Sequence, residues 1–249
     1  LAMREGDLDG AIAALEHGRA RDRGYRHLGR RADSHAVFLA GLYLEAGEFD
    51  GVDQLLDEMR GAPGFEGLAI PGLAFHLACR RGQVEEAEAW LDQIFAALAE
   101  QPWRSGTQAH DLISAALYVG LPLPRVLRLR EELLGMEVWD DFRRLVEAQV
   151  DEVQGKVAEA LDGFAAVAEL SIVSPAVQGT AAVGAARCLL ALDRPDDATR
   201  HVEAASGLLA RWGGWRVAQL AQVRERLGLL PPDGAEAVTG TAALTRRER

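Results

Sequence analysis

Apolar positions recur along this chain at three- and four-residue spacing, in blocks separated by glycines. That period belongs to helices with a buried face. Between Ser34 and Ala46, the residues Ala36, Leu39, Ala40 and Tyr43 fall on one face. Val52, Leu55, Leu56 and Met59 form a second such face. Gly47 lies between the two blocks. Glycine takes positive φ without a side-chain clash, which suits the position just past a helix end. A slim residue five places on, Val52, lets the two helices approach closely. The predicted unit is therefore helix, glycine, helix.

The same pattern returns along the chain. Gly6 is followed at five and nine residues by Ala11 and Leu15, Gly82 by Ala87 and Leu91, and Gly155 by Ala160 and Phe164. Asp193 takes the glycine place of a further copy, with Ala198 and Val202 behind it. Gly120 anchors a copy whose register Pro122 and Pro124 shift by one residue. Pro124 suits the first turn of the next helix, where its missing N–H costs nothing. Ala40, Phe75, Ala148 and Ala186 stand seven residues before their anchors, and all but Phe75 are small. The anchors 6, 47, 82, 120, 155 and 193 are 41, 35, 38, 35 and 38 residues apart. This resembles a degenerate array of tetratricopeptide (TPR) repeats, whose unit is about 34 residues. The expected fold is all-α: a TPR-like helical solenoid of about six helix pairs over residues 1–228. A final helix from about Trp215 to Leu227 is expected to cap it.

Each pair carries apolar residues on more than one face and needs neighbours to cover them. Only Leu1–Glu5 precede Gly6, so the Leu8, Ile12 and Leu15 face is expected to lack a partner and to favour self-association. Ser174-Pro175 is expected to open the sixth pair, and Glu137–Asp141 the fifth, with Trp139 and Phe142 packed between pairs. Trp103–Gly106 marks a loop.

Composition supports the helical reading and narrows the function. The 249 residues are 49% hydrophobic and rich in Ala, Leu, Arg and Glu, with only short β-branched runs. A net charge of −11 argues against this chain gripping a phosphate backbone by itself. Cys79 and Cys188 lie in separate units without metal-ligand spacing, so both are expected as buried, reduced thiols. No apolar run approaches the roughly 20 residues of a membrane span, and no signal peptide is visible, so no membrane partner and a cytoplasmic location are expected.

Chemistry-bearing motifs are scarce. The chain has no GxxxxGK[ST], HExxH, GxSxG or Gly-rich dinucleotide loop. No catalytic, cofactor-binding or metal-binding set is assigned, and the chain is not expected to be an enzyme. Asp140-Asp141 and Asp196-Asp197 fall near helix starts, where carboxylates favour the helix dipole. Arg19, Arg21, Arg23, Arg26, Arg30 and Arg31 form a basic cluster, either a solvated face or a dock for an acidic partner. In TPR-like arrays the leading helix of each pair lines the concave groove. The polar residues on those helices, His76, Arg80, His110, Ser114, Gln149, Glu152 and Arg187, are the candidate contacts to a ligand or partner.

The C-terminal stretch adds a family resemblance. Residues 231–243 have a Pro/Gly/Ala/Thr linker composition, with the linker taken as 229–243. Leu244-Thr245-Arg246-Arg247-Glu248-Arg249 then resembles the opening LTxRE of a LuxR-type helix-turn-helix domain. Thr245 is placed as its N-cap and Glu248 as its capping-box partner. A helical array, a Trp-containing last helix, a linker and this tail in that order are similar to the large ATP-dependent, MalT-like LuxR regulators. The resemblance implies a nucleotide-binding domain upstream, with ATP as its cofactor, and a DNA reader downstream, both outside this chain. It makes the chain a sensor and coupling region for a small-molecule inducer or protein partner, with DNA reached only through the downstream domain and homo-oligomers possible. The alternative is a TPR scaffold that binds a protein segment outside transcription.

Overall fold

The computed structural model describes residues 2–24, 34–60, 68–100, 109–135, 140–170 and 173–229. The Trp103–Gly106 loop, Trp139, three of the clustered arginines (Arg26, Arg30 and Arg31), the linker beyond Leu229 and the 244–249 tail lie outside them. Among the described residues there are twelve α-helices, one 3-10 turn (Ala2–Glu5) and no strand. The helices are α1 (Leu8–Gly24), α2 (Ser34–Ala46), α3 (Phe49–Arg60), α4 (Ala69–Arg80), α5 (Val84–Glu100) and α6 (Ala109–Val119). They continue as α7 (Leu123–Leu134), α8 (Asp140–Val153), α9 (Val157–Ala168), α10 (Pro175–Ala191), α11 (Pro195–Leu208) and α12 (Gly214–Arg226). No described helix is long and apolar enough to cross a membrane.

Every glycine anchor has left-handed backbone. Gly6, Gly47, Gly82, Gly120 and Gly155 have φ of +68°, +84°, +72°, +78° and +79°, and Asp193 is the non-glycine equivalent at +58°. In each turn the residue after the anchor donates its N–H to the carbonyl five residues back. Glu48 donates to Tyr43, Gln83 to Ala78, Leu121 to Ala116, Lys156 to Asp151 and Arg194 to Leu189, all at 2.9–3.0 Å. This six-to-one bond satisfies a carbonyl that the helix end leaves open. The positions five after the anchors are buried: Ala11, Val52, Ala87, Ala160 and Ala198, with Val126 in the shifted copy. Ser174 caps α10 by accepting from the Val177 N–H, and Pro175 fills the first helical position.

The leading helices form an inner row. α2 packs on α4, α4 on α6, α6 on α8 and α8 on α10, while α3, α5, α7, α9 and α11 follow on the outside. Three of the inner helices, α4, α8 and α10, each serve two apolar clusters. In α4, Leu73, Ala74 and Leu77 face one cluster and Phe75, Ala78 and Cys79 the next. In α8, Val146 and Val150 face the second, and Leu145 and Ala148 the third. In α10, Ala181, Ala185 and Cys188 belong to the third cluster, and Ala182, Ala186 and Leu189 return to the first.

The first cluster therefore joins the two ends of the described chain, and α12 completes the closure by packing on α10, α11 and α2. The expectation of a helix capping one end is corrected here: α12 bridges the last pair to the first. The face on α1 is also covered. Leu8 is 2% exposed and Ile12 9%. The Leu8 N–H donates to the Arg211 carbonyl at 3.3 Å, and Leu209 and Trp212 share its cluster. The last pair supplies the partner that the sequence reading left missing.

Two predictions follow from this architecture. Asp193→Gly relieves the one left-handed non-glycine residue among those described. It should raise stability by up to about 1 kcal/mol in urea unfolding. A lower midpoint would show instead that the aspartate side chain supports the turn. Cys79 and Cys188 are both free and buried, and burial pushes each thiol up to about 12. At pH 8 both remain protonated, so a thiol-reactive dye should label neither in the native protein and both in denaturant.

Candidate functional site

The centre of the ring is polar. α12 opens with Gly214, whose φ is +59°. A Cβ built there would lie 1.8 Å from the Glu45 carbonyl oxygen, so only glycine lets the start of α12 press against the end of α2. That contact delivers Trp212, Trp215 and Arg216 to the Glu45 carboxylate. Trp212 Nε1 donates to Oε2 at 3.2 Å and Trp215 Nε1 to Oε1 at 3.1 Å. Arg216 donates through Nε to Oε2 at 2.5 Å and through Nη2 to Oε1 at 3.0 Å. Arg216 also reaches α6 and α10: Nη2 donates to Asp111 Oδ1 at 3.0 Å, and Nη1 to Thr180 Oγ1. The Thr180 hydroxyl donates to the Ala176 carbonyl at 2.9 Å, which leaves its oxygen lone pairs to accept from Arg216.

Arg216 is 4% exposed and Glu45 6%. Burial works against the Arg216 charge, but Glu45 and then Asp111 more than offset it and hold the guanidinium above its ordinary value. Arg80, on α4, is held differently. Its Nε donates to His76 Nε2 at 3.0 Å, which requires that nitrogen to be unprotonated. Its guanidinium lies 3.9 Å from the Trp215 ring centre and 5.1 Å from that of Tyr118. Nη1 and Nη2 are buried and have no hydrogen-bond partner among the described residues. Burial pulls the Arg80 guanidinium down to about 10, with Glu45 partly offsetting it and Arg216 adding to the depression. Two buried cations thus face two carboxylates, Glu45 and Asp111.

This layer borders two cavities. The smaller, about 250 Å³, touches Glu45, His76, Asp111, Trp212, Arg216 and apolar residues including Phe38 and Phe142. The larger, about 650 Å³, lies between α6, α8, α10 and α12. Ser114, Tyr118, Gln149, Glu152, Thr180, Arg187, Gln219 and Gln222 supply its polar lining. Glu152 and Arg187 are joined by a two-pronged pair at 2.6 and 2.7 Å. Burial lowers the Arg187 guanidinium, and Glu152 reverses this to a net rise.

Four of the seven candidate residues, Ser114, Gln149, Glu152 and Arg187, therefore line one cavity. His76 borders the other, and Arg80 stands in the layer beside it. The side chain of His110 lies outside the described residues. The sequence reading passed over Glu45, Asp111, Thr180, Trp215 and Arg216. Two signals for them were available: a lone carboxylate at the end of the apolar helix Ser34–Ala46, and the Trp-Gly-Gly-Trp-Arg run at 212–216. Elsewhere the acidic pairs sit in first helical turns as expected, with Asp197 paired to Arg194 and Arg200. Arg19 of the basic cluster pairs with Glu58. No group of His, Cys, Asp and Glu among the described residues could hold a metal ion.

No protein-family model matches the chain, and no curated protein matches it.

The polar centre makes a sharp prediction. Both Glu45 oxygens receive N–H donors, so the NH2 of a glutamine would face donors. Glu45→Gln should cost about 3 kcal/mol in urea unfolding, in the range for breaking a buried pair. Replacing both partners, Glu45→Met with Arg216→Met, should cost less than the sum of the two single changes. Additive losses would mean that the two side chains do not act as a pair.

Proposed function

We propose that this chain is the sensor and coupling region of a LuxR-family transcriptional regulator of the large ATP-dependent, MalT-like group. Its helix pairs are read as degenerate TPR-like units. One observation carries the reading: α12, the last described helix before the LTRRER stretch, sits at the centre of the ring and lines the larger cavity. An occupant of that cavity touches Gln219 and Gln222 of the helix that leads towards Thr245. Binding would then be felt by the segment carrying the helix-turn-helix resemblance. A ligand shifts such an equilibrium only by its difference in affinity for the two positions of α12.

The reading as a peptide-binding scaffold is weaker on the same observation. The inner row of helices, where a TPR-like array would hold a partner segment, already carries α12 against α2 and α10. ATP and DNA belong to the neighbouring domains that the resemblance implies. The inducer or protein partner acts on this region.

The test uses the intact gene with a transcriptional reporter. A helix-turn-helix should continue from Thr245, and Arg216→Met should change inducer-dependent transcription by tenfold or more, in either direction. The exposed control Glu203→Gln should leave it unchanged. A reading frame without a helix-turn-helix after Arg249, or a reporter indifferent to Arg216, would sink the proposal.

A further inference from the structure

We infer that Arg80 is a stand-in for Arg216: when α12 lifts from the ring, the Arg80 guanidinium takes over the Glu45 carboxylate and gives the chain a second charge-matched state. The exchange itself does not rest on the sensor reading above; only its link to transcription does.

In the closed ring Arg80 is 7% exposed. Its Nε donates to His76, while Nη1 and Nη2 are buried with no hydrogen-bond partner among the described residues. Buried donors without acceptors destabilise the state that contains them, and more so when they carry charge. The closed ring therefore leaves one of its two central cations without a carboxylate of its own. The two idle nitrogens form the end of a planar fork, which matches the two oxygens of a carboxylate.

Two carboxylates are at hand. Glu45 lies on α2 and Asp111 on α6, and α4, which carries Arg80, packs on both helices. Both carboxylates act on the Arg80 charge, Glu45 more strongly. In the closed ring Arg216 occupies them. Its neighbour Trp215 lies against both cations, with its ring centre 3.9 Å from the Arg80 guanidinium carbon and 4.3 Å from that of Arg216. Trp215 and Arg216 both belong to α12. A movement of that helix thus removes together the cation that holds Glu45 and the ring that holds Arg80. It leaves a free guanidinium fork on α4 and, on α2, a carboxylate stripped of four donors. An unpaired buried carboxylate is costly, and Arg80 supplies the missing counter-charge from the adjacent helix. At neutral pH the guanidinium is charged and able to pair, since burial pulls it down only to about 10. Arg80 thereby lowers the cost of opening: one arginine is idle in the closed ring, and the other is released to water in the open one.

Gly214→Ala sets up the open state without altering a charge, because its methyl would lie 1.8 Å from the Glu45 carbonyl oxygen. In NMR spectra of the full chain, the Arg80 Nη–H signals, assigned by their loss in Arg80→Met, should move downfield as they bind a carboxylate. The Trp215 Nε1–H signal should shift as it leaves Glu45. Adding Glu45→Met should reverse the Arg80 shift. Trp215→Ala with Arg216→Met clears the same two groups while keeping Gly214. It should give the same Arg80 shift, and it decides the matter where Gly214→Ala does not fold. Arg80 signals that stay in place in either folded variant would overturn the inference. Hydrogen exchange supplies an independent arm in a chain that stays closed. Arg80→Met should slow amide exchange along α12 about tenfold relative to α9, because opening would then strand Glu45. Unchanged or faster exchange would overturn the inference, since Arg80 would then merely brace Trp215. A reporter indifferent to Arg216→Met in a chain that makes the exchange would remove the sensor reading and leave the exchange. A reporter that responds in a chain whose Arg80 signals stay in place would do the reverse.

Discussion

The structure depends on one buried carboxylate. Glu45 accepts four N–H donors from Trp212, Trp215 and Arg216, residues 167 to 171 positions away in the chain. A carboxylate removed from water without such partners costs several kcal/mol even after relaxation. With them, both oxygens are satisfied and the charge is matched. The closure is therefore conditional. It holds when all three donor residues are seated together, and they are seated only because Gly214 permits backbone contact with the end of α2.

Around this centre the packing is apolar and built on small residues. α10 is the clearest case. A Cβ added at Gly179 would lie 2.7 Å from the Leu209 side chain, and one at Gly184 2.6 Å from the Phe164 ring, so neither site has room for one. The helix is buried on nearly all sides and touches α8, α9, α11 and α12. A helix with no exposed stripe has little amphipathic signature. Its place is fixed instead by how closely its neighbours can approach, and alanine and glycine set that distance. The result is a frame in which every inner helix has a covered face on either side, and the ring has no uncovered end at α1.

Much of this was legible in the sequence because the turns are chemically specific. Left-handed backbone just past a helix end selects glycine strongly enough that five glycines and one aspartate marked the repeat. The small or slim positions after them followed, since they meet the preceding helix. Closure was not legible. It rests on contacts between residues about 170 positions apart, and no local period records such a pairing. The site was legible in half. Ser114, Gln149, Glu152 and Arg187 stand out as polar residues on inner-helix faces, so spacing alone collected them. Glu45 and Arg216 gave no periodic signal, because a buried ion pair is defined by its distant partner. Arg80 and His76 are polar positions on an inner helix, yet they bond to each other, and Arg80 lies over the Trp215 and Tyr118 rings.

The polar character of the closure bears on how α12 could transmit binding. Apolar contacts weaken gradually as surfaces separate, whereas hydrogen bonds depend steeply on distance and angle. Arg216 spans α2, α6 and α10 through Glu45, Asp111 and Thr180, and the Thr180 end of that set lines the larger cavity. A shift of α12 by about 1 Å would carry N···O separations of about 3 Å beyond bonding range, leaving a buried guanidinium and carboxylate unpaired. Intermediate positions are thereby penalised more than either a seated or a released helix. An occupant that braces Gln219 and Gln222 acts on the same rigid helix as Arg216. A small difference in its contacts with the two positions then selects between discrete states, not along a continuum of small displacements.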